Sequence, residues 1–535
     1  MTSTLPPTTD SPAKAPPSTA RRVGIASLIW GASILLSRVI GLVREGVIGR
    51  TLGAEAQGDL YATAFVVPDF LNYLLAGGAL SIVFIPIFGA YLARGEEERA
   101  SQAFSVVANF LLVLLGVATA ALWLAMPALA PIAAPGFTAA QLDDLVWLSR
   151  IVLPAQVFHV VGGLLSASIQ ARDRHALPAL APLVYTLGII VGGLVGGASA
   201  GPYGFAWGAL AGSVLGPFAL PLYGALKYGL RWRWTFSLAH PDLRKYLLRS
   251  LPIMIGFSIV VVDDWYLKRE GTLLGTGAAA ILSYAKTLMK VPMGVFGLAA
   301  GVAVFPTLQR LVAEGRRDEM HALLQRTLRN VLMISFAAQV VLTVAGADIV
   351  QLVYGRTKLT LAQVQDVATS LSLVSIGLAA WATQALVARG FYALGNTWTP
   401  AVLGTGIAVV SYPFYIWARS SYGLIGLALT SSFAILAYTL ALAWLLQRKV
   451  AAGAAQPSTF TSFALRALLS LALGILAGKL ALALCGLSDD TLIVALRAGG
   501  VSLISLAVFA LAAHVLRIEE MRTLAALLAR RRTPS

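Results

Sequence analysis

Long apolar runs, each about the length of a membrane-spanning helix, constrain this chain more than any other feature. Hydrophobic residues make up 58% of the 535 residues and charged residues only 12%, whereas a helix needs about 20 mostly apolar residues to cross the hydrocarbon core. About fourteen such runs occur, at residues 24–48, 59–92, 101–130, 143–170, 177–198, 203–227, 246–267, 272–309, 324–347, 362–388, 398–418, 422–447, 461–485 and 491–516. This pattern excludes a soluble enzyme, a disordered chain and a disulfide-rich secreted domain. It indicates an all-α polytopic membrane protein with about 14 transmembrane helices.

The basic residues predict the orientation of these helices. The chain carries 40 Lys and Arg against 24 Asp and Glu, a net charge of +16. With a cytoplasmic N-terminus, about 26 basic residues fall in cytoplasmic loops and tails and about six in outer loops. The positive-inside rule therefore predicts N-in, C-in and an even number of spans. Positive loops facing anionic lipid account for the charge, so we expect no nucleic-acid partner.

The two ends and the cysteine content add further limits. Residues 1–22 are rich in Pro, Ser and Thr and predict a disordered cytoplasmic tail, followed by an uncleaved first span. Residues 517–535 form a basic cytoplasmic tail, apolar on one side over 517–532. Cys485 is the only cysteine, which excludes a disulfide within the chain and a cysteine metal site.

An internal repeat divides the apolar runs into two sets of six. Three landmarks recur about 220 residues apart: Phe84-Ile85-Pro86 and Phe305-Pro306, Tyr203-Gly204 and Tyr422-Gly423, and Pro178 and Pro400. An even number of spans gives the two copies the same orientation, related by an axis along the membrane normal. We therefore predict a lobe at 23–228, a basic cytoplasmic linker at 229–245, a second lobe at 246–447 and two extra helices at 461–516, with substrate in a cavity between the lobes.

Two arginines in the first span are candidate substrate-binding residues. Arg38 and Arg44 lie well inside the apolar run, where a charge is costly unless it meets water, a partner or a ligand. Gly41 between them permits a bend that turns both inward. Their nearest candidate partners are Glu45 and Asp59. Two roles stay open: a structural ion pair that ties the first two helices, or a cationic wall for an anionic headgroup.

A second charged group is predicted in the seventh and eighth spans. Lys286 and Lys290 are four residues apart, and we expect both to face one cavity, where like charges need water or an anion between them. Asp263 and Asp264 could partner these lysines, or could titrate as a proton or cation site. Asp59 and Arg150 are further candidate substrate-binding residues. The other membrane cations, Arg466, Lys479 and Arg497, lie near span ends and are expected to snorkel.

The chain shows no pattern typical of an enzyme. It lacks a Gly-rich phosphate loop, a His-x-x-x-His pair and a credible Ser-His-Asp set. We expect a transporter without a cofactor, driven by an ion gradient, the membrane potential or substrate supply, and the choice of coupling cation, H⁺ or Na⁺, stays open.

Several motifs resemble the MurJ/MviN family, which are lipid II flippases of the MOP exporter superfamily. The likeness is most specific in the first hundred residues and is carried by Ser37-Arg38-Val39-Ile40-Gly41-Leu42-Val43-Arg44-Glu45, Leu52-Gly53-Ala54, Asp59, Pro68-Asp69, Gly78-Ala79-Leu80-Ser81 and Phe84-Ile85-Pro86. Leu148-Ser149-Arg150-Ile151 and Gly390-Phe391-Tyr392 continue it. The resemblance implies fourteen helices, a cationic central cavity and a lipid-tail groove at 461–516. It also implies functional roles for Arg38, Arg44 and Asp59.

The chain departs from the family pattern at three places. Asn72-Tyr73 stand where the family has a basic pair, and Ala285-Lys286-Thr287-Leu288 stand where it has Ala-Asp-Arg-Leu. Leu267 stands where some members place an acidic sodium ligand, with Asp263 and Asp264 about a turn earlier. These departures bear on the coupling ion and, to a lesser degree, on the substrate.

The leading hypothesis is a monomeric flippase of a bacterial inner membrane that moves lipid II outward by alternating access. Two alternatives stay open: a flippase for another polyprenyl-linked glycan, and a membrane-embedded glycosyltransferase or scaffold.

Overall fold

A computed structural model describes residues 36–76 except 38, 83–294, 299–355, 358–450, 457–486 and 490–520. These described residues are helical with short connections and contain no strand. The helices of the first half are α1 (39–52), α2 (Ala56–Ala64), α3 (Val66–Ala76), α4 (Ile85–Ala93), α5 (Glu97–Ala133), α6 (Ala139–Val152), α7 (Ala155–Gln170), α8 (Ala176–Ala200), α9 (Pro202–Ser213), a π-helical turn (Val214–Ala219) and α10 (Leu220–Lys227).

The second half repeats this order and adds two helices. Its helices are α11 (Pro241–Thr272), α12 (Ala278–Met293), α13 (Ala299–Ala313), α14 (Arg317–Val344), α15 (Gly346–Tyr354), α16 (Leu361–Val374), a 3₁₀ turn (Ser375–Gly377), α17 (Leu378–Ala393), α18 (Trp398–Val450), α19 (Pro457–Ala483) and α20 (Thr491–Val515). In the described part, nine helical stretches are long and apolar enough to cross a membrane. The 53-residue α18 covers two predicted spans, so the helices are consistent with about fourteen.

Matching helix starts confirm the internal repeat. Helices α6 and α16 both have 14 residues, and each begins with a complete capping box, Thr138 with Gln141 and Thr360 with Gln363, 222 residues apart. In such a box the Thr hydroxyl and the Gln side chain satisfy two free N–H groups of the first turn. Helices α7 and α17, which follow them, both have 16 residues.

One predicted landmark of the repeat is displaced by three residues. Gly201 (φ 49°, ψ −129°) and Gly423 (φ 57°, ψ −132°) share one left-handed conformation, whereas Gly204 lies inside α9. A residue with a side chain is strained at such a φ, so glycine marks the same bend in both halves. The true counterpart of Gly423 is therefore Gly201, and their spacing of 222 residues equals that of Pro178 and Pro400.

Two predicted spans are not single continuous helices. In the run at 59–92 a turn at Phe65 separates α2 from α3, and the run at 272–309 begins with a turn before α12 starts at Ala278. Pro86 lies at the start of α4, where the missing N–H of proline costs no helical hydrogen bond. Helix α11 also begins at Pro241, inside the stretch predicted as linker.

Apolar side chains form three buried clusters. One lies within the first half, and one joins the helices of the second half with Ile48 and Leu52 of α1. The third packs α19 and α20 against α14, through Phe463, Phe509 and Val340. The extra helix pair is therefore attached to the second half, and α1 packs against the second half as well.

Candidate functional site

Two lysine–aspartate pairs connect α11 and α12. Lys286 Nζ lies 2.6 Å from Asp263 Oδ2, and Lys290 Nζ forms an ion pair with Asp264. The two lysines are one turn apart, whereas the adjacent aspartates are turned about 100° from each other on their helix. The two aspartates therefore pair with the two lysines, as the sequence predicted. The two ion pairs differ in their surroundings.

The first pair is sealed inside the second half. The Lys286 and Asp263 side chains are only 4% and 8% exposed. Lys286 Nζ also donates to Ser431 Oγ (2.7 Å) and lies 4.3 Å from the centre of the Trp381 ring, while Asp263 accepts hydrogen bonds from Tyr415 and Ser431. This placement differs from the predicted one, in which Lys286 and Lys290 face one open cavity. Packing against α17 and α18 turns Lys286 inward.

The second pair is partly open. The Lys290 and Asp264 side chains are 33% and 25% exposed, and Asp264 Oδ1 has no hydrogen-bond partner among the described residues. Asp69 of α3 lies within electrostatic range of Asp264, Lys268 and Lys290. Charged groups of α3, α11 and α12 therefore meet where the first half faces the second.

Sequence reasoning missed Lys268 as part of this group. The apolar run seemed to end at residue 267, which placed Lys268 in an outer loop, but α11 continues to Thr272. Lys268 is one turn after Asp264, and this i, i+4 spacing of opposite charges was the available signal. Asp69 was visible only as an acid next to Pro68, with nothing in the sequence to indicate its partners.

Arg44 lies on the α1 side of the same region. Its guanidinium binds Glu45 through Nη2 (2.7 Å) and Nε (3.1 Å), so one of its two predicted partners is in contact. The side chain is 26% exposed and lies within electrostatic range of Asp69 and of Tyr61 and Tyr185. Arg38, the other predicted arginine, lies outside the described residues.

Asp59 contacts the second half instead of an arginine. Its carboxylate accepts hydrogen bonds from the backbone N–H groups of Gly277 (2.5 Å) and Ala280 (2.7 Å) at the start of α12. These N–H groups have no partner within the helix, and the positive end of the helix dipole favours the carboxylate. Asp59 thus caps α12 from across the lobe boundary.

Two neighbouring hydrogen bonds strengthen this junction. The Tyr284 hydroxyl donates to the carbonyl of Gly53 (2.7 Å), and Gln363 Nε2 donates to the carbonyl of Ala54 (2.8 Å). The turn between α1 and α2 is therefore fixed to α12 and α16. By the predicted orientation, this is the outer end of the molecule.

Arg150 is separate from these groups. It stacks on Trp123 and Trp147, with Cζ 4.1 and 5.2 Å from the ring centres, and Nε donates to the carbonyl of Trp123 (3.0 Å). Trp147 is 55% exposed. The predicted grouping of Arg150 with the other cations is not seen, because α6 directs it to the surface of the first half.

Arg497 differs from the expectation of snorkelling. Its Nη2 and Nε atoms bind the two oxygens of Asp348 at 2.6 and 3.2 Å, and both side chains are buried. Such a bidentate pair adds geometric specificity. It attaches α20 to α15, so this cation fixes the extra helix pair to the second half.

No group of three or more His, Cys, Asp or Glu side chains suitable for a metal ion occurs in the part of the chain that the structure describes. The site offers a partly open region with Arg44, Lys268 and Lys290, each near a carboxylate. Such a region can bind a large anionic headgroup by exchanging carboxylates for phosphate oxygens.

Comparison with known proteins supplies the context for this geometry. A family model described as lipid II flippase MurJ matches residues 48–494. The lipid II flippase MurJ of Burkholderia cenocepacia is 27% identical over 389 residues, covering 70% of this chain and 74% of the relative. The probable lipid II flippase MurJ of Vibrio cholerae is 25% identical over 428 residues, covering 77% and 81%.

Solved structures show the same fold. A lipid II flippase MurJ in an inward closed conformation superposes with a TM-score of 0.72 at 20% identity, covering 90% of this chain and 98% of that one. An inward-facing MATE multidrug transporter of the MOP superfamily superposes with a TM-score of 0.66 at 14% identity, covering 78% and 95%.

Proposed function

This chain belongs to the MurJ family, and from that premise we propose that it carries lipid II from the inner to the outer leaflet by alternating access. It is a multi-pass membrane protein with the fold of MOP-type transporters. The partly open cation group between the halves is the observation that supports this substrate. A polyprenyl-pyrophosphate headgroup has the negative charge that Arg44, Lys268 and Lys290 would bind.

Substrate binding would proceed by exchange of ionic partners. With no substrate present, Glu45 and Asp264 neutralise Arg44 and Lys290, which avoids the cost of leaving these cations unpaired in a poorly solvated region. A pyrophosphate would displace Asp264 from Lys290. Lys268, one turn from Asp264, would then neutralise that carboxylate, whose Oδ1 atom is unpaired in this structure.

Access from the outside would require the junction at Asp59 to open. Its carboxylate, together with Tyr284 and Gln363, holds the α1–α2 turn against the second half. Each of these hydrogen bonds contributes about 1 kcal/mol, and those to the carboxylate about 1.5–3 kcal/mol. The role assigned to Asp59 is thus a contact that closes the outer end, rather than a direct contact with the headgroup.

The remaining parts of the proposal concern coupling and topology. We expect translocation without bond chemistry or a cofactor, in a monomer of the inner membrane with both termini inside. Of the two aspartates considered for ion coupling, Asp264 is the better candidate for a proton or cation, since Lys286, Ser431 and Tyr415 already saturate Asp263.

A complementation experiment tests the function. The chain is expressed in cells depleted of their own lipid II flippase, and growth and lipid II translocation are measured. We expect rescue by the unaltered chain and at least tenfold lower translocation by Arg44→Gln and Lys290→Gln, since charge-assisted hydrogen bonds contribute about 1.5–3 kcal/mol. Lys227→Gln, an exposed lysine at the end of α10, is the matched control and should rescue fully.

Other outcomes would support the alternatives. Failure of the unaltered chain to rescue, with loss of an exopolysaccharide on deletion, would identify another polyprenyl-linked glycan as substrate. Formation of a new glycan product in vesicles without translocation would indicate a glycosyltransferase. Full rescue by both Arg44→Gln and Lys290→Gln would contradict the cation-exchange mechanism.

A further inference from the structure

A groove on the surface of the first half is the strongest feature that the proposed function leaves unused. It has a volume of about 470 Å³ and is open on one side. It runs between α5 and the junction of α6 and α7, and is lined by Gly116, Thr119, Trp123, Leu124, Pro154 and Phe158. By the predicted orientation it extends from near the membrane midplane toward the outer side, apart from the charged groups between the lobes.

Three observations indicate a ligand with a defined order of chemical groups. Beside the groove, the Arg150 guanidinium stacks on the lining residue Trp123, and no carboxylate forms an ion pair with it among the described residues. Inside the groove, Thr119 is only 8% exposed, yet its hydroxyl has no hydrogen-bond partner there. At the deep end, a Cβ added to Gly116 would meet no atom within 4 Å, so the groove is open along α5.

The spacing along α5 fits a glycerophospholipid. Thr119 is one turn before Trp123 on α5. This spacing places Thr119 about 6 Å deeper in the membrane than Trp123, on which Arg150 stacks. A phospholipid has the same order along the membrane normal: an anionic phosphate, then an ester carbonyl that accepts a hydrogen bond, then an acyl chain. A polyprenyl carrier has a phosphate and an apolar tail but no ester carbonyl for Thr119.

We propose that this groove is a binding site for one anionic glycerophospholipid of the outer leaflet. Arg150 binds the phosphate, Thr119 donates to an ester carbonyl, and one acyl chain lies over Gly116. Trp123 and Trp147 flank the guanidinium, with its Cζ 4.1 and 5.2 Å from the two ring centres. Arg150 is thereby assigned to a bound lipid instead of to the transported substrate.

Native mass spectrometry of the detergent-solubilised full chain, titrated with phosphatidylglycerol or phosphatidylethanolamine, tests the site. We expect tighter binding of phosphatidylglycerol, and an approximately tenfold loss of its affinity in Arg150→Gln. The loss for phosphatidylethanolamine should be smaller, because its own ammonium group partly neutralises the phosphate. Arg150→Lys should keep part of the preference because the charge remains. Arg50→Gln, an exposed arginine at the end of α1, is the control and should bind like the unaltered chain.

Two groove variants test the remaining contacts. Thr119→Val keeps the side-chain shape without the hydroxyl and should weaken both phospholipids a few-fold. Gly116→Leu should fill the groove and abolish binding of both. An unchanged phosphatidylglycerol preference in Arg150→Gln, unaltered binding in Gly116→Leu, or tighter binding of undecaprenyl phosphate that is insensitive to Thr119→Val would each overturn the proposal. A thermal unfolding midpoint measured without added lipid verifies that each variant is folded.

Discussion

Two lysine–aspartate pairs join the same two helices one turn apart, and their surroundings are opposite. Lys286 and Asp263 are enclosed by α17 and α18, and each has at least one further partner there. Lys290 and Asp264 face the first half and are a quarter to a third exposed, and one carboxylate oxygen has no hydrogen-bond partner in the part of the chain that the structure describes. The same residue types on the same two helices therefore lie in two different environments.

The difference follows from the cost of burying charge. A sealed ion pair is tolerated only when further hydrogen bonds satisfy both groups, and its loss leaves a charge without compensation. A partly open pair retains water as an alternative partner, so the lysine can change partners at lower cost. Saturation suits a fixed joint of the second half, whereas incomplete pairing suits a site that binds and releases an anion.

The largest expected effect is loss of the sealed lysine. Lys286→Met leaves Asp263 buried without its cation, and we expect the free energy of unfolding in mixed detergent micelles to fall by about 3–5 kcal/mol. The double variant Lys286→Met with Asp263→Leu removes both charges and should recover most of that loss. If the double variant is as unstable as the single one, the uncompensated charge is not the cause.

Loss of the open lysine should separate stability from transport. Lys290→Met is expected to change the free energy of unfolding by about 1 kcal/mol or less, since the pair is partly solvated, while lipid II translocation falls at least tenfold. Lys290→Arg keeps a cation and should retain most translocation. A drop in stability as large as that of Lys286→Met would remove the distinction between the two pairs.

The smallest expected effect is loss of one hydrogen-bonding group beside the sealed pair. Ser431→Ala deletes the hydroxyl that contacts both Lys286 and Asp263, and we expect about 1–2 kcal/mol lower stability with translocation retained in the folded fraction. Thr430→Ala, whose hydroxyl donates to the carbonyl of Gly426 in its own helix, is the neighbouring control and should have a smaller effect. Equal losses of stability in Ser431→Ala and Thr430→Ala would show that the hydrogen bonds of Ser431 to Lys286 and Asp263 contribute no more than a bond within one helix.

The fold was largely predictable because its signals are local. Apolar runs indicate helices, and the recurrence of Pro178 at Pro400 indicates two copies. The Thr-x-x-Gln capping boxes of α6 and α16 were present in the sequence as a further sign of the repeat. Proline was a poor guide to the ends of helices, since Pro292 lies inside α12 and Pro306 lies inside α13 without ending it.

The site was predictable as a set of charges but not as an arrangement. Spacing indicated that Lys286 and Lys290 share one helix face and that two aspartates lie near them. Which lysine is sealed depends on how α12 is rotated against α17 and α18, and that rotation comes from tertiary packing. Asp59 shows the same limit, because its partners are backbone N–H groups 218 and 221 residues away.

Accessibility of single cysteines tests the contrast between the two pairs most directly. Cys485 is the only cysteine of the sequence, so Cys485→Ser provides a background for single cysteines that leave both pairs intact. Ser431→Cys lies beside the sealed pair at a fully buried position, and Tyr73→Cys lies within electrostatic range of Lys290 at a position that is 41% exposed. Each variant is treated with a charged, membrane-impermeant thiol reagent in inverted vesicles, with and without lipid II, and is labelled fully after denaturation to normalise the signal. We predict that the cysteine at position 73 reacts and is protected by lipid II, whereas the cysteine at 431 reacts only after denaturation. Equal reactivity at the two positions, or no protection at 73, would contradict the assignment of one pair to structure and the other to substrate.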